Sequence, residues 1–117
     1  MRDLVIITGV AGMVGSNLLE KIIKKRNQII VGIDNYKLGK KRHIKKYLRY
    51  KNFFFFKIDL SKSINSKKLE NLLKNNKLKE AWLLAANSDI SKGVCNPEID
   101  IKNSFLSTYN TIQFINK

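Results

Sequence analysis

The sequence predicts an α/β fold in which one parallel sheet carries helices on both faces. Apolar runs at residues 4–7, 29–33, 53–58 and 80–86 lack polar alternation, as is typical of parallel strands covered on both sides. The segments between them repeat apolar residues at helical spacing. Right-handed crossovers then give the strand order 3-2-1-4, which is part of a doubly wound sheet that we expect to be truncated.

The first strand leads into a glycine-rich turn, so that residues 4–15 read L-V-I-I-T-G-V-A-G-M-V-G. Gly9 allows a sharp turn, Gly12 lets an anion approach the backbone, and Gly15 lets the next helix pack near the strand. The amides around Gly12, Met13 and Val14 then face the anion at the start of a helix. The spacing is G-x-x-G-x-x-G rather than G-x-G-x-x-G, and a glycine-rich turn without a ligand stays an alternative.

An acidic residue follows the second strand. Asp34 lies about 20 residues beyond the glycines, where a carboxylate accepts hydrogen bonds from an adenosine ribose. The alternative is a polar turn formed with Asn35. A carboxylate repels a 2′-phosphate and so favours NAD over NADP, although that preference is left open by three nearby lysines, Lys37, Lys40 and Lys41.

Helices are predicted at residues 13–26, with a basic last turn at 24–26, and at 65–76, with Ser61, Ser63 or Ser66 as cap and Leu69, Leu72 and Leu73 inward. The basic run 37–51 reads as an amphipathic helix with Ile44, Tyr47 and Leu48 inward.

The end of the fourth strand is small and apolar. Ala85 and Ala86 there suit either a flat ligand ring or close helix packing. We expect a loop at 88–96 and a last helix from Pro97 to the end of the chain. Its inward face is predicted to comprise Ile101, Phe105, Tyr109, Ile112 and Ile115.

Composition indicates one small domain of 117 residues with a formal net charge of +14. Nucleic acid is an obvious partner for such a charge, but the lysines are scattered, and we favour a solvated surface instead. No membrane span or signal peptide is evident. The single cysteine, Cys95, indicates a reducing cytoplasm and no cysteine metal cluster, and we expect a structural or surface thiol.

Five short motifs together resemble the NAD-dependent epimerase/dehydratase family, the extended short-chain dehydrogenases/reductases. They are T-G-V-A-G-M-V-G at 8–15, I-D-N at 33–35, D-L at 59–60, L-L-A-A at 83–86, and Pro97 followed by Asn103. The resemblance implies a Rossmann-type fold, NAD as cofactor, a nucleotide-sugar substrate, and a homodimer formed through helices near the end of this chain.

The resemblance also implies roles for individual residues. Gly9, Gly12, Met13, Val14 and Gly15 hold the pyrophosphate, and Asp34 and Asn35 the ribose. Asp59 and Leu60 border the adenine. The nicotinamide side is contacted by Leu84, Ala85 and Ala86, beneath which Asn103 steadies the loop. At residues 88–91, Ser-Asp-Ile-Ser stands where related dehydratases have Ser-His-Val-Asp. This difference puts one contact with the substrate in doubt but leaves cofactor binding unaffected.

The family's catalytic Ser or Thr and Tyr-x-x-x-Lys pair have no equivalent at the expected place. Tyr36 with Lys40 and Tyr47 with Lys51 match the spacing, but both pairs follow the second strand, so we read them as chance matches. The sequence therefore predicts no catalytic residue and no metal ligand. We expect residues 1–117 to be a partial NAD-binding domain, inactive alone, without its carboxyl-terminal substrate region. The alternatives are a naturally short, non-catalytic dinucleotide-binding module and, less favoured, a basic nucleic-acid-binding domain.

Overall fold

The centre of the molecule is a parallel sheet of four strands in the order β3-β2-β1-β4. The structure is a computed structural model that describes residues 1–87 and 89–117. Its strands are β1 (Asp3–Thr8), β2 (Ile29–Asp34), β3 (Phe53–Lys57) and β4 (Lys77–Leu83). The predicted fold class and strand order are confirmed.

Helices follow β1, β3 and β4 along the chain, whereas only 3₁₀ turns follow β2. The helices are α1 (Met13–Ile22), α2 (Lys67–Asn75), α3 (Ile90–Cys95), α4 (Glu98–Asp100) and α5 (Ser107–Ile115). A π-helical segment, Ile101–Leu106, joins α4 to α5, and two short 3₁₀ turns occupy Lys41–His43 and Lys45–Tyr47. In the described part of the chain, no helix is long and apolar enough to cross a membrane.

Both faces of the sheet are covered along β1 and β2, as their unbroken apolar runs predicted, whereas most residues of β4 are exposed. One core contains Val5 and Ile7 of β1 with Leu19 of α1, and the other contains Leu4 and Ile6 with the second layer of helices. All of these side chains are at most 1% exposed. Burial of each such aliphatic side chain contributes about 1.5–3 kcal/mol, so β1 and the equally apolar β2 form the buried centre of the fold.

The phenylalanine run of β3 serves both cores at once. Phe53 and Phe55 pack on the side of α1, whereas Phe54 and Phe56 pack on the opposite side. All but Phe53 are half-buried, because β3 is an edge strand and lacks a neighbour beyond it.

The fourth strand was predicted three residues too late, at 80–86 rather than Lys77–Leu83. Its charged beginning is tolerated because β4 is the other edge of this sheet, where lysines reach water. The strand ends at Leu83 because the backbone leaves the ladder of the sheet shortly after it. The amide of Ala85 donates to the hydroxyl of Thr8 at 3.2 Å instead of continuing the ladder.

Helix α1 ends at Ile22 rather than at Arg26, so the basic residues 24–26 lie in the following turn. The buried side chain of Asn52 explains this early end. Its amide nitrogen lies 3.2 Å from the carbonyl of Ile23 and 3.4 Å from that of Lys25, which compensates oxygens that a longer helix would have used.

The basic run 37–51 forms 3₁₀ turns rather than the predicted amphipathic helix. Ile44 and Tyr47 are nonetheless buried, as predicted, and Leu48 packs partly against them. A continuous helix is interrupted because Lys40 and His43 both bond to the carbonyl oxygen of Ala11 in the glycine-rich turn.

Helix α2 is close to its prediction. Ser66 is its cap, since the hydroxyl accepts from the amide of Leu69 at 3.3 Å. Leu69 is fully buried, and Leu72 and Leu73 pack partly against the same core.

The predicted loop at 88–96 is wrong for most of its length, because α3 occupies Ile90–Cys95. Asp89 caps this helix by accepting from the amide of Lys92 at 3.1 Å. Cys95 is an exposed free thiol. Ser88, the first residue of the predicted loop and of the motif at 88–91, lies outside the described residues.

The last helical region begins after Pro97, as predicted, but of its predicted buried face only Ile115 packs against the core. Ser107, Thr111 and Phe114 face the core. Most of the predicted inward face points to solvent, with exposed fractions of 43–64%: Ile101, Phe105, Tyr109 and Ile112. We call these four residues the exposed stripe. Small hydroxyl residues face the sheet because the helix lies close to the loop after β4, where Ser107 donates to the carbonyl of Ala85 at 3.0 Å.

Candidate functional site

A cavity of about 430 Å³ lies at the carboxyl edge of the sheet. It opens between the turn after β1 and the loop after β4, which is the switch point of the strand order and the usual ligand position in open α/β sheets. All the residues predicted to bind the cofactor line it: Gly9, Gly12, Met13, Val14, Gly15, Asp34, Asn35, Asp59, Leu60, Leu84, Ala85, Ala86 and Asn103. Their contacts with a ligand stay a prediction.

The glycine-rich turn is shaped by two close approaches. Gly9 has a φ of +69°, and a β-carbon there would lie 2.9 Å from the amide nitrogen of Ala85. A β-carbon on Gly15 would meet the carbonyl oxygen of Gly9 and would lie 2.8 Å from the α-carbon of Val10. Larger residues at either place would push the turn away from the strand or from the loop after β4.

The start of α1 provides the donors of the site. Gly12 is the cap residue and offers no side chain to the first turn, which contains no acidic residue. Helix geometry leaves the first amides without partners in the helix. Met13 and Val14 are 76% and 68% exposed. These amides and the positive end of the helix dipole therefore face the cavity, which is the arrangement that binds phosphate.

Asp34 is the buried carboxylate of the site, with 7% of its surface exposed. One oxygen accepts from the amide of Ala11 at 2.9 Å, and the other accepts from the amide of Tyr36 at 2.8 Å. Each oxygen keeps a second lone pair. The carboxylate is thus fixed in the cavity wall and can still accept hydrogen bonds from a ligand hydroxyl.

The peptide group of Ala11 joins the two halves of the cavity. Its N–H donates to Asp34, and its carbonyl oxygen accepts from the amide of Lys40 at 3.1 Å. The same carbonyl lies 2.7 Å from Nδ1 of His43. Because a carbonyl only accepts, this ring nitrogen must carry a proton. His43, which also lines the cavity, thereby holds the glycine-rich turn against the segment after β2.

Sequence reasoning missed His43. Its only signal was that it is the single histidine of the chain. Nothing in the local sequence indicates a partner 32 residues away.

Asp59 provides a second carboxylate on the adenine side of the predicted site. The Ser61 hydroxyl donates to it at 2.7 Å. This bond, assisted by the Ser61 amide and by the charges of Lys37 and Lys62, lowers the pKa of Asp59 against an opposing effect of burial. Asp59 is consequently ionised at neutral pH, and the polarity of this cavity wall is fixed.

The loop after β4 forms the opposite wall. The amides of Leu84 and Ala85 donate to Thr8, and the amide of Asn87 donates to the hydroxyl of Ser104 at 3.1 Å. The side chains that hold this loop therefore belong to Thr8, Ser104 and Ser107. Asn103, to which the resemblance assigned that role, lines the cavity beside them.

No tyrosine lines the cavity within the described ranges. Tyr47 is 5% exposed in the core, and Tyr36 stacks on Phe55 with ring centroids 5.1 Å apart. Burial, and secondarily the neighbouring Asp34 carboxylate, raises the pKa of Tyr36, which disfavours the phenolate that a catalytic tyrosine needs. Both observations support the interpretation of the two Tyr-x-x-x-Lys matches as accidental.

The comparisons with known proteins agree with this geometry. Residues 6–117 match the family model described as GDP-mannose 4,6 dehydratase. The chain belongs to this family. The predicted membership of the NAD-dependent epimerase/dehydratase group is confirmed.

Individual relatives are nucleotide-sugar enzymes. A putative UDP-glucose 4-epimerase of Methanocaldococcus jannaschii is 27% identical over 114 residues, which are 97% of this chain and 34% of that protein. The UDP-Glc/GlcNAc 4-epimerase of Campylobacter jejuni is similar in structure, with a TM-score of 0.76 and 27% identity over 96% of this chain and 33% of the other.

A third comparison concerns the fold alone. The UDP-glucuronic acid 4-epimerase of Bacillus cereus, solved with UDP-glucuronic acid and NAD, has a TM-score of 0.76 at 23% identity and covers 95% of this chain and 35% of its own. The chain thus spans about a third of the length of the relatives it matches.

Proposed function

We propose that this chain binds NAD as the cofactor-binding part of a nucleotide-sugar epimerase or dehydratase. The observation that carries the proposal is the presence of a fixed carboxylate, Asp34, and the open amides of α1 in the wall of one cavity. The family supports the same conclusion.

The residues present fit the dinucleotide. Gly12 leaves space where a pyrophosphate approaches the amides of Met13 and Val14, since a β-carbon there would have only the carbonyl of Gly9 as neighbour, at 3.3 Å. Asp34 accepts hydrogen bonds from the adenosine ribose and repels a 2′-phosphate, so NAD is preferred over NADP. Asp59 borders the adenine.

In the complete enzyme, NAD held by these residues would supply reversible hydride chemistry for the sugar. This chain's own contribution is to bind and orient the dinucleotide. The wall formed by Leu84 to Ala86 excludes water from the nicotinamide side, and the hydrogen bonds from Thr8 and Ser107 to Ala85 hold that wall in place.

The groups that move the substrate proton are expected outside residues 1–117, as is the sugar-binding region. The proposal for these regions is supported by the share of the relatives that the chain covers, about one third. We therefore expect no turnover of a nucleotide sugar by this chain alone. The exposed thiol of Cys95 is compatible with work in the reducing cytoplasm.

A homodimer is proposed through the exposed stripe. Its four apolar side chains follow one another along one helical face, and the rings of Phe105 and Tyr109 are stacked with centroids 6.2 Å apart. A second copy supplies an identical apolar face, which is the complement that a two-fold interface needs. Light scattering of the wild type and of Phe105→Ser tests this proposal, and a wild type that stays monomeric at the highest concentration measured contradicts it.

Calorimetric titration with NAD and with NADP tests the main proposal. The wild type should bind NAD and bind NADP more weakly. Gly12→Ala should lower the affinity for NAD about tenfold, equivalent to about 1.4 kcal/mol, because the new methyl group stands where the phosphate approaches. Absence of NAD binding by folded wild type would refute the proposal. NAD binding together with turnover by this chain alone would refute the expected division of labour.

A further inference from the structure

A second cavity lies at the opposite ends of the strands from the proposed cofactor site. Its volume is about 590 Å³, within the range of small-ligand pockets. Its lining residues come from the segments that precede β1, β2 and β3: Arg2, Arg26, Arg49, Tyr50, Lys51 and Asn52. This cavity therefore lies at the amino ends of the strands, and we call it the basic cavity.

The charge of the basic cavity is of one sign. Its lining contains three arginines and one lysine and no acidic residue. Over residues 1–87 and 89–117, the ion pairs are Lys67–Glu70, Lys79–Asp3 and Lys102–Glu98, and none of them includes a lining cation. Four neighbouring cations without a carboxylate repel one another, so an anion among them gains attraction and relieves repulsion.

The segments that carry these cations are fixed to one another. Asn52 is 5% exposed, and its side-chain amide nitrogen lies within 3.2–3.4 Å of the carbonyls of Ile23, Lys25 and Gln28. It therefore fastens the turn that carries Arg26 to the segment that carries Arg49 and Lys51.

Two further contacts complete the fixation. The Arg26 guanidinium lies 5.8 Å from the centroid of the Tyr50 ring, at cation–π distance. The backbone of Arg2 is held at both ends, since its amide donates to Asn76 at 3.2 Å and its carbonyl accepts from Lys77 at 2.9 Å. Little backbone ordering remains to be done when a ligand binds, which favours affinity.

We infer that the basic cavity is a second anion site, which takes the di- or triphosphate group of a small molecule. The lining cations come from three separate segments, and a polyphosphate chain offers several oxyanions among them. A nucleic-acid backbone is less favoured, because the cations surround one cavity and do not follow a groove. Arginine forks provide paired donors for each phosphate group.

Inorganic tripolyphosphate is the probe for this inference, with binding followed by two-dimensional amide NMR at 150 mM salt. The test variant is Arg26→Gln with Arg49→Gln. The matched control is Lys24→Gln with Lys25→Gln, which removes the same charge from exposed residues of the same turn that do not line the cavity. Thermal unfolding of each variant checks that it is folded, and Arg2→Gln provides a second test variant that leaves the Tyr50 contact intact.

We expect tripolyphosphate to shift the amides of Arg26, Tyr50 and Asn52. The test variants should bind at least about tenfold more weakly, and the control should change by less than about twofold. Equal weakening in test and control would mean attraction by net charge only and would overturn the inference. Shifts confined to residues 12–15, or tighter binding of a single-stranded oligonucleotide than of tripolyphosphate, would overturn it also. The result does not depend on whether NAD binds.

Discussion

Replacement of Asp34 by asparagine should destabilise the protein even in the absence of any ligand. The two carboxylate oxygens accept from two different amides, those of Ala11 at 2.9 Å and Tyr36 at 2.8 Å. An asparagine side chain has one oxygen and one NH₂ group. In either orientation, one backbone N–H faces the NH₂ group and loses its acceptor.

The cost follows from the chemistry of the lost bond. A hydrogen bond to a charged group contributes about 1.5–3 kcal/mol, and Asp34 is buried, so water does not readily replace the lost acceptor. We expect Asp34→Asn to lower the free energy of unfolding by about 1.5–3 kcal/mol. For a domain of this size, that corresponds to a fall in Tm of about 6–20 °C.

Urea denaturation of the free protein, followed by circular dichroism, is the assay. The control is Asp3→Asn, which changes the net charge equally but removes an exposed carboxylate 3.8 Å from Lys79. An exposed pair contributes at most about 1 kcal/mol, so the control should change little. Equal stability of Asp34→Asn and the wild type would refute the assigned hydrogen bonds.

Three further predictions concern the same cavity. Gly15→Ala should lower the free energy of unfolding by about 1–3 kcal/mol through overpacking, and Gly12→Ala should lower it less, since the nearest neighbour of its new methyl group is at 3.3 Å rather than below 3 Å; similar losses in both would contradict the packing. His43→Leu should speed amide hydrogen exchange in the glycine-rich turn because a 2.7 Å bond is lost, and His43→Asn should restore protection. The hydrogen bond from Ser61 lowers the pKa of Asp59, so the stability that Asp59 confers is present above the ordinary carboxyl pKa and is lost as the pH falls through the lowered one. Ser61→Ala should move that loss to higher pH, and a carboxyl NMR titration without such a shift would contradict the assignment.

The glycine-rich turn and Asp34 could be predicted because their signals are local. Glycine spacing, the strand before it and the distance to Asp34 are fixed by backbone geometry, which is the same wherever this unit occurs. The strand order followed from the handedness of parallel crossovers. The cavity that these rules imply is therefore the part of the molecule that the sequence describes best.

The last helical region could not be predicted in the same way. Its apolar residues have helical spacing, and spacing alone indicates an inward face. The structure instead buries Ser107 and Thr111, since their small side chains allow close approach to the loop after β4. Apolar spacing identifies a helix and its apolar face, but what that face packs against depends on the tertiary structure.

The contacts of Ala11 were equally inaccessible. Ala11 forms three hydrogen bonds with residues that are distant in the sequence, namely Asp34, Lys40 and His43. The end of α1 at Ile22 likewise depends on the distant side chain of Asn52. Such partners appear only when the strands are assembled.

The central strand β1 separates the two proposed anion sites by its own length. It has six residues, so at about 3.3 Å per residue its ends lie on the order of 20 Å apart. Charges this far apart are screened from each other at physiological salt, where the Debye length is about 8 Å. A dinucleotide at one end and a polyphosphate at the other should therefore bind at the same time, and the first ligand should reduce the affinity for the second only slightly.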